Sequence, residues 1–170
     1  INDSWYAISR YKYNTNGNQT KVNFYDVDTT ACYFKDGLYS SIESEYNEDG
    51  DVVKETYYDI CGNVALTSEG LYAIVKYKYD NYRRIVEYSY FDEKESPCYY
   101  NNDYHILRVK YDKKGNVIQH SYYGKNREPI LRMDGSSIIQ FTYDSKGNCV
   151  QKDFKNTRGD HINLNSSGYS

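Results

Sequence analysis

A short turn signature recurs at a nearly constant interval through the whole chain, and nothing else in the sequence limits the fold as strongly. Its clearest copies are Tyr111-Asp112-Lys113-Lys114-Gly115-Asn116 and Tyr143-Asp144-Ser145-Lys146-Gly147-Asn148. Three more are Tyr13-Asn14-Thr15-Asn16-Gly17-Asn18, Tyr46-Asn47-Glu48-Asp49-Gly50-Asp51 and Tyr79-Asp80-Asn81-Tyr82-Arg83-Arg84. From tyrosine to tyrosine the steps are 33, 33, 32 and 32 residues. A constant period of this size marks a tandem repeat, each copy one supersecondary unit that needs its neighbours.

The residue types explain the turn. Asp or Asn after the tyrosine can fold its side chain onto backbone N–H groups further along and so start a turn. Gly17, Gly50, Gly115 and Gly147 supply the positive φ that closes a three- or four-residue hairpin loop with a bulge. The third copy has Arg83 in that place, which predicts a strained turn or one of another type. Asn47, Asp49 and Gly50 also echo a calcium loop, but the flanking helices and the bidentate Glu of such a loop are missing. No metal site is expected.

Apolar alternation flanks each turn, so the unit reads strand, turn, strand. The units run over residues 5–36, 37–69, 70–102, 103–134 and 135–167. In the first strand of the third unit, Ala73, Val75, Tyr77 and Tyr79 share one face, while Ile74, Lys76 and Lys78 share the other. That is the pattern of a strand with one solvated face. The buried stripe of the second strand is Val53, Val86, Ile118 and Val150 (Thr20 in the first unit), followed four residues later by Phe24, Tyr57, Tyr90, Tyr122 and Phe154. The next position, Tyr25, Tyr58, Phe91 and Tyr123, must face the other way, and Lys155 ends that series. A polar loop and a short third strand follow, with Pro97 and Pro129 at its start, a place where a sheet tolerates proline. Gly37, Gly70 and Gly135 (Asp103 once) reset the chain for the next unit.

Composition narrows the function classes. With 39% hydrophobic residues, 23 tyrosines and a mean hydropathy of -0.90, tyrosine must supply much of the core. Tyr13, Tyr46, Tyr79, Tyr111 and Tyr143 are expected to be core residues. Acidic and basic residues intermix, and the net charge is -3; nucleic acid and anionic membrane are therefore not expected as partners. No apolar run reaches membrane-spanning length, so no membrane insertion is expected. Cys32, Cys98 and Cys149 take repeat positions held elsewhere by Ala65, Ile130, Val52, Ile85 and Val117, which reads as small hydrophobes rather than a disulfide framework. Two repeats separate Cys32 from Cys98, at least about 10 Å across strand spacings and beyond disulfide reach.

The expected fold is all-β: an elongated array of five antiparallel β-hairpin repeats of 32–33 residues, forming a single tandem-repeat domain over 1–170. The first and last units lack polar caps, and the chain opens at Ile1 without Met. The missing caps read as part of a longer array or as ends that pair with other chains, and the missing Met as a processed chain or a piece cut from something longer. The Tyr-Asp-x-x-Gly-Asn turns, above all Tyr111 to Asn116 and Tyr143 to Asn148, resemble the YD repeats of bacterial RHS-type proteins in a longer-period variant. The resemblance spans nearly the whole chain. It implies a β-array of bacterial origin and, for location, a secreted or cell-surface setting. It brings no catalytic residues with it, and five units are too few to enclose a cargo as RHS shells do.

Three function classes follow. The first is a non-enzymatic structural or interaction module, whose partners are another protein or neighbouring repeats. The second is a carbohydrate-binding module using Tyr25, Tyr58, Phe91 and Tyr123 as stacking platforms for a glycan. Against it stands cross-strand packing of the same rings, worth about 0.2–1 kcal/mol per pair. The third is an enzyme. His105, His120 and His161 fall at three different repeat positions, Asp103 accompanies His105, Asp160 precedes His161, and no nucleophile motif accompanies them. No catalytic residue, cofactor or metal ligand is therefore assigned. The residues singled out are the four outward aromatics and, as structural motif, Tyr13, Gly17, Tyr46, Gly50, Tyr79, Tyr111, Gly115, Tyr143 and Gly147.

Overall fold

The computed structural model describes residues 6–34 and 37–164. The outer ends of two expected units, the first (residues 5 and 35–36) and the fifth (residues 165–167), lie outside the described residues. Ten strands are present: β1 (Ile8–Tyr13), β2 (Gln19–Tyr25), β3 (Ser41–Tyr46), β4 (Val52–Tyr58), β5 (Ile74–Tyr79), β6 (Ile85–Phe91), β7 (Ile106–Tyr111), β8 (Val117–Tyr123), β9 (Ile138–Tyr143) and β10 (Cys149–Lys155). They form one antiparallel sheet in chain order, and no helix occurs among the described residues. The all-β hairpin expectation holds, with turns at the five predicted places. By proximity the chain groups into two compact units, Ile1–Tyr77 with Tyr90–Asn102, and Lys78–Ser89 with Asp103–Ser170.

The turn works through its first side chain. Asp112 Oδ1 accepts the N–H groups of Lys114 (2.8 Å) and Asn116 (2.9 Å), and Asp112 Oδ2 accepts Asn116 Nδ2 at 2.9 Å. Asn116 is thus the second half of a clasp around the loop. Asp144 and Asn148 repeat this geometry. Gly115, at φ +92°, turns its N–H back to the Asp112 carbonyl. The next strand then carries one extra residue, since Tyr111 faces Val117 while Lys110 faces Gln119. Ile118, like Val53 in the second hairpin, is therefore the bulge residue. The third copy takes the first of its two expected forms, the strained turn. Its turn is of the same type, with Asp80 Oδ1 accepting Tyr82 and Arg84 N–H and Arg83 forced to φ +60°. Arg84 also binds Asp80 through its guanidinium.

A second turn of the same design lies 12 residues after the first, where the sequence reads only as a polar loop. Asp59 Oδ1 accepts Cys61 and Asn63 N–H, and Asp92 Oδ1 accepts Lys94 and Ser96 N–H. Its fourth residue again has positive φ: Thr29, Gly62, Glu95, Arg127 and Gly159. The chain then returns against the strand it left, through single bridges such as Tyr58 to Val64 and Tyr123 to Pro129. The expected third strand is no more than this bridge.

This returning segment corrects the picture of one solvated face. Ala73, Ile74 and Val75 are all buried, although Ile74 lies on the opposite face from the other two. Val64 and Tyr58 line the same surface as Ile74, and the beginning of β5 is buried on both faces. Only the turn-proximal half, from Lys76 onward, has a solvated face.

The main core lies on the face of Phe24, Tyr57, Tyr90 and Tyr122, all buried. In the first unit rings follow one another through Phe24–Phe34 (4.6 Å between centroids), Phe34–Tyr39 (5.5 Å), Tyr39–Tyr57 (4.9 Å), Tyr57–Tyr72 (5.6 Å), Tyr72–Tyr90 (5.0 Å) and Tyr90–Tyr100 (4.9 Å). Gly70 is there because of these rings: a Cβ on it would lie 2.6 Å from both Tyr72 and Tyr100. In the second unit Tyr104 meets Tyr122 at 4.9 Å, and Ile106 is fully buried.

Candidate functional site

The motif tyrosines are not core residues. Tyr46, Tyr79, Tyr111 and Tyr143 are half-buried, and Tyr13 is 61% exposed. Their position at the bulge sends the ring sideways, toward the preceding hairpin. The hydroxyls of Tyr46, Tyr111 and Tyr143 donate to the carbonyls of Gln19 (2.6 Å), Ile85 (2.9 Å) and Val117 (2.8 Å). Each acceptor is the first residue of the preceding hairpin's second strand. The motif therefore joins one repeat to the next. Tyr111 also carries the Arg84 guanidinium 4.6 Å from its ring centre.

The four outward aromatics share a different environment. Each is half-buried and has a cation over its ring: Arg10 on Tyr25 (4.7 Å), Lys21 on Tyr58 (5.2 Å), Lys76 on Phe91 (4.6 Å) and Arg108 on Tyr123 (4.5 Å). Tyr58 also donates to Glu43 at 3.0 Å. All four residues also form the bridge to the returning segment. The ring-on-ring ladder lies on the other face, and Tyr25, Tyr58 and Tyr123 are packed by cation–π contacts instead.

Charges interlock around these rings. Glu87 is only 5% exposed, yet it receives Lys78 (2.9 Å), Arg108 (2.8 Å) and Arg127 (2.8 Å). Burial works to raise its pKa, but the hydrogen bonds from those three cations outweigh it and hold the carboxyl at about 2. Arg127 reaches Glu87 from the positive-φ position of a second turn. In the first unit Glu95, at the same turn position, reaches Lys76 at 2.7 Å. Sequence reasoning missed this position. Its signal was present in Asp59-Ile60-Cys61-Gly62-Asn63 and Asn156-Thr157-Arg158-Gly159-Asp160, which repeat the spacing of the first turn.

Asp103, His120 and His161, among the residues weighed for catalysis, contact groups other than one another. Asp103 Oδ2 accepts Arg132 Nε and its Oδ1 accepts the Met133 N–H, both at 2.8 Å. His105, two residues on, is buried, and its backbone N–H donates to the Tyr123 carbonyl. His120 lies 5.1 Å from Phe141; burial, then Arg132 and Lys152, push its pKa down. His161 is 3.7 Å from Asp153. Among the described residues no group of three or more His, Cys, Asp or Glu could hold a metal ion, and Asn47 spends its Oδ1 on the Asp51 N–H. None of the four cysteines forms a disulfide; Cys149 and Cys61 are exposed, so Cys149 is not the buried hydrophobe its strand position suggested. Among the described residues no helix is long and apolar enough to cross a membrane. No family model matches the chain, and no curated protein matches it.

Proposed function

We propose that this chain is a non-enzymatic structural or interaction repeat module of a secreted or surface-associated bacterial protein, of the YD-repeat type. The observation that carries this reading is where the polar chemistry goes. Turn carboxylates serve backbone N–H groups, motif hydroxyls serve the preceding repeat, and buried Glu87 serves three cations. These groups maintain the array. Among the described residues edge strand β1 has a single paired neighbour, and there Tyr13 is exposed where Tyr46, Tyr111 and Tyr143 reach a preceding hairpin. Such an edge suits a further hairpin, from a neighbouring repeat or a partner protein.

A sugar-binding array would need Tyr25, Tyr58, Phe91 and Tyr123 to keep an open ring face, and a cation lies over each. The test is the double variant Tyr58→Ser with Tyr123→Ser. It should unfold at lower temperature than the parent, with the same retention on bacterial and host polysaccharides. Unchanged melting with lost retention would replace this reading by a lectin-like one.

A further inference from the structure

Ten residues beyond Phe24, Tyr57, Tyr90, Tyr122 and Phe154 stand Phe34, Thr67, Tyr100, Arg132 and Leu164. Three of these lie on the ring ten residues back. Phe34 is 4.6 Å from Phe24 and Tyr100 is 4.9 Å from Tyr90, and the Arg132 guanidinium is 4.4 Å from the centre of Tyr122. Thr67 cannot fill the volume of a ring or a guanidinium. The space it leaves is a cavity of about 50 Å³ lined by Phe34, Tyr39, Tyr57, Glu69, Tyr72 and Thr67 itself. Thr67 is 3% exposed, and its Oγ1 has no hydrogen-bond partner. A buried hydroxyl in that condition is unfavourable until something supplies a partner.

The fourth repeat shows what fits such a place. There Arg132 lies on Tyr122 with Tyr104 at 6.0 Å, and binds Asp103 (2.8 Å) and Asp134 (3.0 Å). Sixty-five residues earlier stand Tyr57 for Tyr122, Tyr39 for Tyr104, Glu69 for Asp134 and Thr67 for Arg132. The second repeat thus keeps the two rings and one carboxylate and has no cation at position 67. Leu38 replaces Asp103, while Tyr72 adds a third ring to the wall.

We propose that this cavity receives the guanidinium group of an arginine side chain from a partner protein. Rings and a carboxylate around a small polar space are the surroundings in which organic cations bind best. Burial pushes the hydroxyls of Tyr39, Tyr57 and Tyr72 up, so the walls stay neutral. The volume exceeds the need of one water and holds a head group only; Ser68 and Glu69, exposed lining residues, leave a way out for the aliphatic stem. This goes beyond the interaction reading above, which requires no cavity.

The probe is N-acetyl-arginine amide, titrated while the tyrosine ring protons are followed by NMR. Saturation is expected with a Kd of the order of 1–10 mM. The neutral isostere N-acetyl-citrulline amide should bind at least about tenfold more weakly, as loss of the charge contact implies. Thr67→Arg should fill the cavity from within, raise the melting temperature and abolish the titration. Arg132→Thr should open a second saturable site on Tyr104 and Tyr122. Should Thr67→Arg fail to fold, Glu69→Gln decides, with binding weakened several-fold. Absence of saturation in the parent, equal binding of the citrulline compound, or a titration unchanged in folded Thr67→Arg or in Glu69→Gln would each overturn the proposal.

Discussion

The two compact units solve one packing problem with different chemistry. In the first, Phe34 and Tyr100 lie against Phe24 and Tyr90, and Tyr39 and Tyr72 continue the ring series. In the second, Arg132 takes the place of the ring and Ser136 the place of the next tyrosine, fully buried and donating to Asp134. The position asks for a flat group on the face of an aromatic, and a delocalised cation satisfies it as well as a ring does. The substitution has a cost in partners. Phe34 brings no charge, whereas Arg132 needs Asp103 and Asp134, and Glu87 of the same unit needs three cations. The first unit should therefore respond to loss of apolar surface and the second to pH and salt.

The largest effect should come from the ring series. Tyr57→Ala removes a buried ring in contact with Tyr39 and Tyr72 and should lower stability by about 3–5 kcal/mol. Chemical denaturation would measure it, and a loss of less than about 1 kcal/mol would show that the series is not what holds the first unit. Next is Glu87→Gln. The folded carboxyl titrates at about 2 against an ordinary 4.5, so its contribution, about 3 kcal/mol at neutral pH, is present above pH 4.5 and lost as pH falls toward 2. The melting-temperature gap between parent and Glu87→Gln should be widest near pH 6 and shrink steadily below pH 4.5. A gap that is constant with pH would deny the ion cluster its role.

Smaller effects sharpen the same contrast at the turns. Tyr111→Phe deletes the hydroxyl bond to the Ile85 carbonyl and keeps the ring under Arg84; it should cost about 1 kcal/mol. Arg83→Gly should stabilise by about 1 kcal/mol, because the third turn holds a non-glycine residue at φ +60° where glycine carries no Cβ penalty. Gly115→Ala, at φ +92°, should move stability the opposite way by a similar amount, about 1 kcal/mol. Equal melting temperatures for these two variants would mean that the loops are loose enough to relax.

The hairpins were legible in the sequence because their causes are local. An Asp or Asn side chain, a residue able to take positive φ, and period-two alternation on both sides suffice to place five turns and ten strands. The second turn obeys the same chemistry, but only Asp59-Ile60-Cys61-Gly62-Asn63 and Asn156-Thr157-Arg158-Gly159-Asp160 show its signature openly; Glu95 and Arg127 hide it. Along the second strands Phe24, Tyr57, Tyr90 and Tyr122 are buried as expected, but Thr20, Val53, Val86 and Ile118 are only half-buried and Val150 is 61% exposed, because that position is the bulge beside the turn. Ile74 is buried because a segment from ten residues earlier folds over it, and no periodicity within a strand reports that.

What the sequence by itself determined is therefore the unit: its length, its turns, its bulge and its aromatic stripe, all set by interactions within a few residues. What only the tertiary structure decided is how units engage one another. That Tyr111 reaches the Ile85 carbonyl rather than the core, that cations cap Tyr58 and Tyr123, and that Thr67 leaves a space where Arg132 fills one, each depends on residues ten or more positions apart. Such contacts follow from strand register and from the path of the returning segment, and side-chain types alone are compatible with several partners for each group.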